Sequence, residues 1–242
     1  MTMKTIEFFS DVYGLADTVP IIKTSDALPR WVSLARNDFK QASKVKTHIA
    51  RCPGIFDLFK QGYLIPAWHD ITIRSDGERF GWEIPSENLM NLRGTNSIAQ
   101  AHDKNTIGKH LPRPPWANPN VLKINTPWHV IAPKGVKLLM TSVPYPDTFE
   151  IEALNGILDP AVSTEINLQL NFNILRGEHL IKAGTPLAMI IPLSENEFKL
   201  VVRDKNSYDE MWSVKRKFVN SMSYVLNRQR IKQLYEKHWR NK

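Results

Sequence analysis

The sequence predicts a mostly β protein of the α+β kind, built on a β-sandwich or a related β core, and three observations carry that prediction. Apolar segments recur at 121–131, 136–143, 149–154, 164–172, 187–193 and 197–202, with Pro, Gly or Asn between them. Spacings of roughly ten residues leave no room for helical crossovers, which sets aside a doubly wound parallel sheet. Helix signals, finally, are sharp at only two places, near 53–61 and beyond 206.

Taken in order, the first fifty residues are punctuated by Pro20 and Pro29 and show little period, with one helix offered at 28–42. A short helix is expected next, because Pro53 suits a first helical turn and Gly62 a C-terminal stop. Ile55, Phe56 and Phe59 would form its buried face. Residues 63–74 and 79–84 read as two strands joined through Ser75, Asp76, Gly77 and Glu78, where Asp-Gly supplies a tight turn. Ile71 and Ile73 alternate with Thr72 and Arg74, so one face of that hairpin is wet. Residues 86–120 lose the period, and half of the sixteen prolines fall between Pro112 and Pro146. The run from Leu111 to Trp116 favours an extended polyproline conformation, so this stretch reads as a loop or arm.

Beyond the strands, Ser207 and Glu210 have the spacing of a capping box. Met211, Val214, Phe218, Met222 and Val225 follow as a one-sided apolar stripe. The expected organisation is a single β-rich domain over 1–206, followed by a long, basic, amphipathic C-terminal helix over 207–242. Within the domain lie a helix plus hairpin (50–85), a Pro-rich arm (86–120) and the strand-rich core (121–206).

Composition limits the function classes. Hydrophobic residues make up 42% and charged residues 23%, which is ordinary for a globular chain and argues against extensive disorder. No apolar run approaches the roughly 18–20 residues that a membrane-spanning helix needs, so membrane insertion is not expected. Acids enter the N-terminal segment before a signal-like stretch develops, which predicts an unprocessed chain made in the cytosol. The single cysteine, Cys52, excludes an internal disulfide and reads as a structural thiol. The net charge of +8 is segregated: 207–242 carries nine Lys or Arg against three acids, a net of +6, leaving +2 for the body. A basic element on a near-neutral body predicts docking to an acidic partner through 215–242, either nucleic acid or another anionic surface. Arg228, Arg230 and Lys232 are the contact candidates, set against the plainer reading of a solvated helix face.

Chemical motifs are few. Gly108 and Lys109 are followed by His110 and lack the upstream glycine of a phosphate-cradling loop. There is no nucleophile elbow and no zinc-binding His-Glu-x-x-His helix, and no cofactor is expected. His69 abuts Asp70 and His102 abuts Asp103, but strand neighbours point to opposite faces, so no metal site is expected either. Trp68-His69-Asp70 and Trp128-His129 are two similar clusters, and His69, Asp70 and His129 would converge if their strands were neighbours. Trp31, Trp68, Trp82, Trp116 and Trp128 are expected to anchor core or interfaces, with Trp116 and Trp128 the binding candidates.

One stretch resembles a known fold. The Gly156-to-Asp159 turn, the segment 164–171 and the returning segment 181–192 are similar to the central pattern of the dUTPase and dCTP deaminase β-clip proteins. That likeness implies a β-clip-like core and assigns Asp159 the role of orienting a water or a sugar hydroxyl. Here Pro160, Ala161, Val162 and Ser163 stand where the family carries tyrosine and glycine, no Gly-Arg-Ser phosphate motif precedes the turn, and a basic helix replaces a glycine-rich arm. A wider resemblance, over Arg51–Ile55, Tyr63–Asp70, Trp128–Gly135, Gly156–Asp159 and Gly184–Pro186, is to an uncharacterised family of tailed phages and bacteria. It implies a viral or bacterial origin and a place in the cytoplasm of a host or bacterial cell or in the virion, and it brings no activity that carries over.

Two readings follow. In the first, the chain is a phage-encoded binding or assembly protein without catalysis, joining a protein partner or its own copies through the Trp- and Pro-rich arm and the basic helix. In the second, it binds a small ligand or acts as an enzyme, with a nucleotide-related pocket where His69, Asp70, His129 and Asp159 meet.

Overall fold

A computed structural model describes residues 3–41, 48–84, 99–105, 107–147, 150–173, 176–206 and Asp209. In chain order the elements are β1 (Lys4–Ser10), α1 (Leu15–Thr18), β2 (Ile22–Lys23), α2 (Arg30–Gln41), α3 (Pro53–Lys60), β3 (Tyr63–Pro66), β4 (Ile71–Ser75), β5 (Phe80–Glu83) and β6 (Ala99–His102). There follow α4 (Ile107–His110), β7 (Val121–Ile131), β8 (Lys137–Thr141), β9 (Ile151–Ala153), β10 (Gly156–Leu158), β11 (Glu165–Phe172), β12 (Gly177–Ile181), β13 (Pro186–Leu193) and β14 (Phe198–Asp204).

The described strands form three sheets. The first runs β14-β1-β7-β11-β9, with β6 beside β7; the second runs β10-β8-β13-β3-β2; the third is β12-β4-β5. β11 pairs along β7 from Leu122 to His129, which leaves β1 and β6 to share the other edge of that strand, β1 opposite 128–131 and β6 opposite 121–124. The first and last described strands pair in parallel, Lys4 opposite Phe198 through Ser10 opposite Asp204, and the other pairings are antiparallel.

One buried cluster draws on all three sheets. Ile6 and Phe8 of β1, Leu122, Ile124, Trp128 and Val130 of β7, and Ile166, Leu168, Leu170 and Phe172 of β11 face it from the first sheet. Ile65, Leu187, Ala188 and Ile190 enter from the second, and Ile71, Ile73 and Ile181 from the third. Each such large side chain taken fully from water contributes about 1.5–3 kcal/mol. The mostly β architecture with several short helices agrees with the sequence reading, and among the described residues no helix is long and apolar enough to cross a membrane.

Local signals decide the boundaries that were legible. Pro53 opens α3 and Gly62, at φ 76°, follows its end. In the β4–β5 turn Gly77 takes φ 95°, while Asp76 Oδ1 accepts from Glu78 N at 2.8 Å and Arg79 N at 2.7 Å. Those two amides, Arg79's first, hold the Asp76 carboxyl below the usual carboxylate range. Ile71 and Ile73 are fully buried and Arg74 is exposed, as the alternation predicts.

Several expectations need correction. β1 falls in the stretch that shows little period; Ile6, Phe8 and Phe9 are all buried, so both faces are covered and there is no alternation to read. The expected strand at 63–74 is two strands in different sheets, β3 and β4, separated by a turn at 67–70. The arm at 86–120 contains β6 on the edge of β7, and Ala117 and Asn118 are buried. Strands β10 and β12 are additional to those read from the sequence. Most of 207–242, including the apolar stripe, Arg228, Arg230, Lys232, Ser207 and Glu210, lies outside the described residues. Asn206 and Asp209 do exchange the two hydrogen bonds of a capping box: Asp209 N donates to Asn206 Oδ1 (3.1 Å) and Asn206 N to Asp209 Oδ2 (2.8 Å).

Candidate functional site

His129 lies in a row of the first sheet that sets Arg203, Phe9 and itself side by side on β14, β1 and β7. Its ring stacks on Phe9 at 4.8 Å and 7°, and the Arg203 guanidinium sits 5.2 Å over the Phe9 ring. Nε2 of His129 is 2.9 Å from Asp11 Oδ2 and Nδ1 is 3.1 Å from Thr164 Oγ1. Both ring nitrogens are thereby occupied, one by a carboxylate and the other by a hydroxyl. A hydroxyl, an imidazole and a carboxylate in line are also the parts of a nucleophilic relay. Here Thr164 is 8% exposed and His129 3%, so the line ties the end of β1 to the entry of β11 and presents no reactive atom outward.

The other sequence-selected residues hold turns. Asp70 Oδ1 accepts from Ala183 N at 2.8 Å, and the neighbouring backbone exchanges Ala67 N to Thr185 O (2.8 Å) and Gly184 N to Ala67 O (2.7 Å). His69 Nδ1 lies 3.1 Å from the Asp70 carbonyl. Asp159 Oδ1 accepts from Ala161 N at 3.0 Å, and its carbonyl accepts from Val162 N and Ser163 N. Trp128 is wholly buried in the core with no acceptor for Nε1 among the described residues, and Trp116 is half-buried. Cys52 is half-buried at the N-cap of α3. Among the described residues no group of three or more His, Cys, Asp or Glu could hold a metal ion.

A cleft of about 460 Å³ opens where edges of the three sheets meet. Glu150 and Ile151 enter it from β9 and the residue before it, His179 to Lys182 from β12 and its exit, and Val143, Thr185 and Pro186 from the ends of β8 and β13. Asp70 therefore braces the 182–185 turn from behind while Lys182 and Thr185 face the cleft. Glu150 Oε2 and His179 Nε2 meet at 2.9 Å across it, joining the first sheet to the third. This size and mixture, an apolar floor with a few converging polar groups, is what small binding sites use.

One lip of the cleft is held against its local preference. Tyr145 takes φ 47°, a left-handed conformation costly for a bulky side chain. Trp31 Nε1 donates to its carbonyl at 2.9 Å, and its ring packs edge-on to Trp31 and Phe59. Asp147 Oδ2 accepts the Arg30 amide at 3.0 Å, so the lip also supplies the start of α2 with a hydrogen-bond acceptor. Pro144, Tyr145, Pro146 and Asp147 spell a turn in the sequence, yet their partner Trp31 lies more than a hundred residues away and no local pattern connects them. Glu150, His179 and Lys182 are equally silent in sequence, because each becomes part of a site only when three sheet edges converge.

No protein-family model and no curated protein sequence matches this chain.

Proposed function

We propose that this chain is a binding protein and that the cleft between β9, β12 and the Tyr145 lip is its ligand site. The observation that carries this reading is the strained Tyr145 backbone, held by Trp31 and immediately preceding the cleft residues Pro146 and Asp147, in a cleft where Glu150 and His179 are paired. Backbone strain of this kind persists where surrounding structure over-determines it, and it clusters at ligand clamps. The described end of the Pro-rich arm, with Ala117 and Asn118 buried, supports the body more than it offers a docking surface, which moves weight from the arm to the cleft. A nucleotide site at Asp159 draws less support, since that side chain caps its own turn. A phage-encoded assembly protein, the origin implied by resemblance, fits a binding role of this kind. The charge of 207–242 supports a second, anionic partner there, with binding that falls steeply as salt rises.

The reading is tested with a ligand-observed screen of a small-fragment library against the wild-type chain and the Leu180→Glu, Lys182→Glu double variant. Both side chains line the cleft and are exposed, so the fold is expected to survive. Hits that bind the wild type and lose at least tenfold in affinity for the variant support the cleft; hits indifferent to the change place the ligand site elsewhere.

A further inference from the structure

The residues of β12 that line the cleft are consecutive, His179, Leu180 and Ile181, and Lys182 follows them just beyond the strand. Side chains of a strand alternate between its two faces, so a run of neighbours bordering one cavity points to a cavity beside the strand's hydrogen-bonding edge rather than on one face. Among the described residues β12 is the last strand of its sheet and pairs with β4 alone, so its outer edge, beside the cleft, has no strand partner there.

Exposed edges are normally blunted by proline, an outward lysine, a bulge or a cover. β12 reads Gly-Glu-His-Leu-Ile, with no proline, and its Glu178 is engaged by Arg74 Nε at 2.6 Å. What guards this edge is recess: the opposite wall, at Glu150 and Ile151, leads into β9, itself last in its sheet. A slot between two sheet ends, once the Glu150–His179 pair across it opens, admits one strand and excludes the broad pairing that leads to aggregation. The five residues of β12 extend about 17 Å, enough for a partner of similar length.

Building on the cleft reading, we propose that β12 takes an extended segment of a partner polypeptide as an added strand. Main-chain hydrogen bonds along the edge would supply affinity, and the slot would select side chains. Ile151, Ile181 and Val143 provide an apolar floor, so alternate residues of the guest are apolar. Lys182, exposed and without an ion pair among the described residues, sits at the exit of β12 and selects an acidic side chain or a C-terminal carboxylate near that end.

The test begins with selection of displayed random heptapeptides on the full chain and synthesis of the best binder. Its affinity is then measured with a single backbone N-methyl group at each position in turn. Strand addition predicts that N-methylation at every second position weakens binding at least tenfold while the intervening positions change it less than threefold. It also predicts that Lys182→Glu weakens the parent peptide at least fivefold. A flat N-methyl profile, indifference to Lys182→Glu, or no enriched peptide overturns strand addition. Self-association of the chain that competes with the peptide would reassign the edge to a second copy. Fragment binding that survives any of these results and is still lost in the cleft variant leaves the ligand-site reading intact, whereas loss of both removes it.

Discussion

Arg203 joins chain segments that are distant in sequence. Its Nε donates to Glu7 Oε1 at 2.6 Å, and its two terminal nitrogens reach both oxygens of Asp209, a residue only 2% exposed. The hydrogen bonds that the guanidinium donates to Asp209, the largest effect, and to Glu7 raise its pKa against the opposing effect of burial. Arg203→Met keeps much of the stem but leaves the Asp209 carboxylate buried without its cation, so we expect a loss of about 2–3 kcal/mol in urea unfolding. None of this was legible beforehand, since a sequence shows Arg203 as one more cation near a basic segment. His129 was legible as a candidate, singled out together with the tryptophan beside it. Asp11 and Thr164 were not, since they are brought to it by pairings with two other strands.

His102 gives a pH test at the same scale. Its Nε2 is buried without a partner among the described residues, and desolvation, followed by the charge of Lys123, pushes its pKa below the ordinary 6.5. A histidine depressed in the folded state contributes stability that is present in full above its unfolded value and lost as pH falls through the folded one. Unfolding midpoints measured from pH 7.5 down to pH 5 should therefore fall more for wild type than for His102→Gln. Parallel curves would remove His102 from the acid response.

Among the elements, α3 and the turn after it show why some boundaries can be read and others cannot. Pro53 and Gly62 act through their own backbones, so their positions alone announced the helix. Gly62 also has a role that only packing reveals. A Cβ there would lie 2.5 Å from the Ile190 carbonyl oxygen and 3.1 Å from Ile191 Cγ1, on a residue already at φ 76°. Gly62→Ala should cost at least about 2 kcal/mol, from left-handed strain together with forced separation of the turn from β13. A change below about 0.5 kcal/mol would show that the turn moves aside without penalty. β1, β10 and β12 escaped detection for different reasons. β1 is covered on both faces and loses its alternation, while β10 and β12 span three and five residues, too short for a period to establish itself.

At the scale of the molecule, regular spacing of apolar segments was enough to predict a mostly β fold, because it excludes crossovers wherever the strands finally lie. It could not predict three sheets, nor that their ends would leave a cleft between Glu150 and His179, since sheet membership is settled by pairings between residues far apart in the chain. The residues that stood out chemically, His69, Asp70 and Asp159, stood out because turns need polar side chains, and turns are where the structure places them. The most direct test of the cleft as a binding site is amide chemical-shift mapping of the full chain titrated with one fragment from the screen. Binding in the cleft predicts shifts confined to Ala27–Leu28, Val143–Asp147, Glu150–Ile151 and His179–Pro186, together with the Trp31 indole that holds the lip. Shifts centred instead on Asp11, His129 and Thr164, or on 207–242, would contradict it.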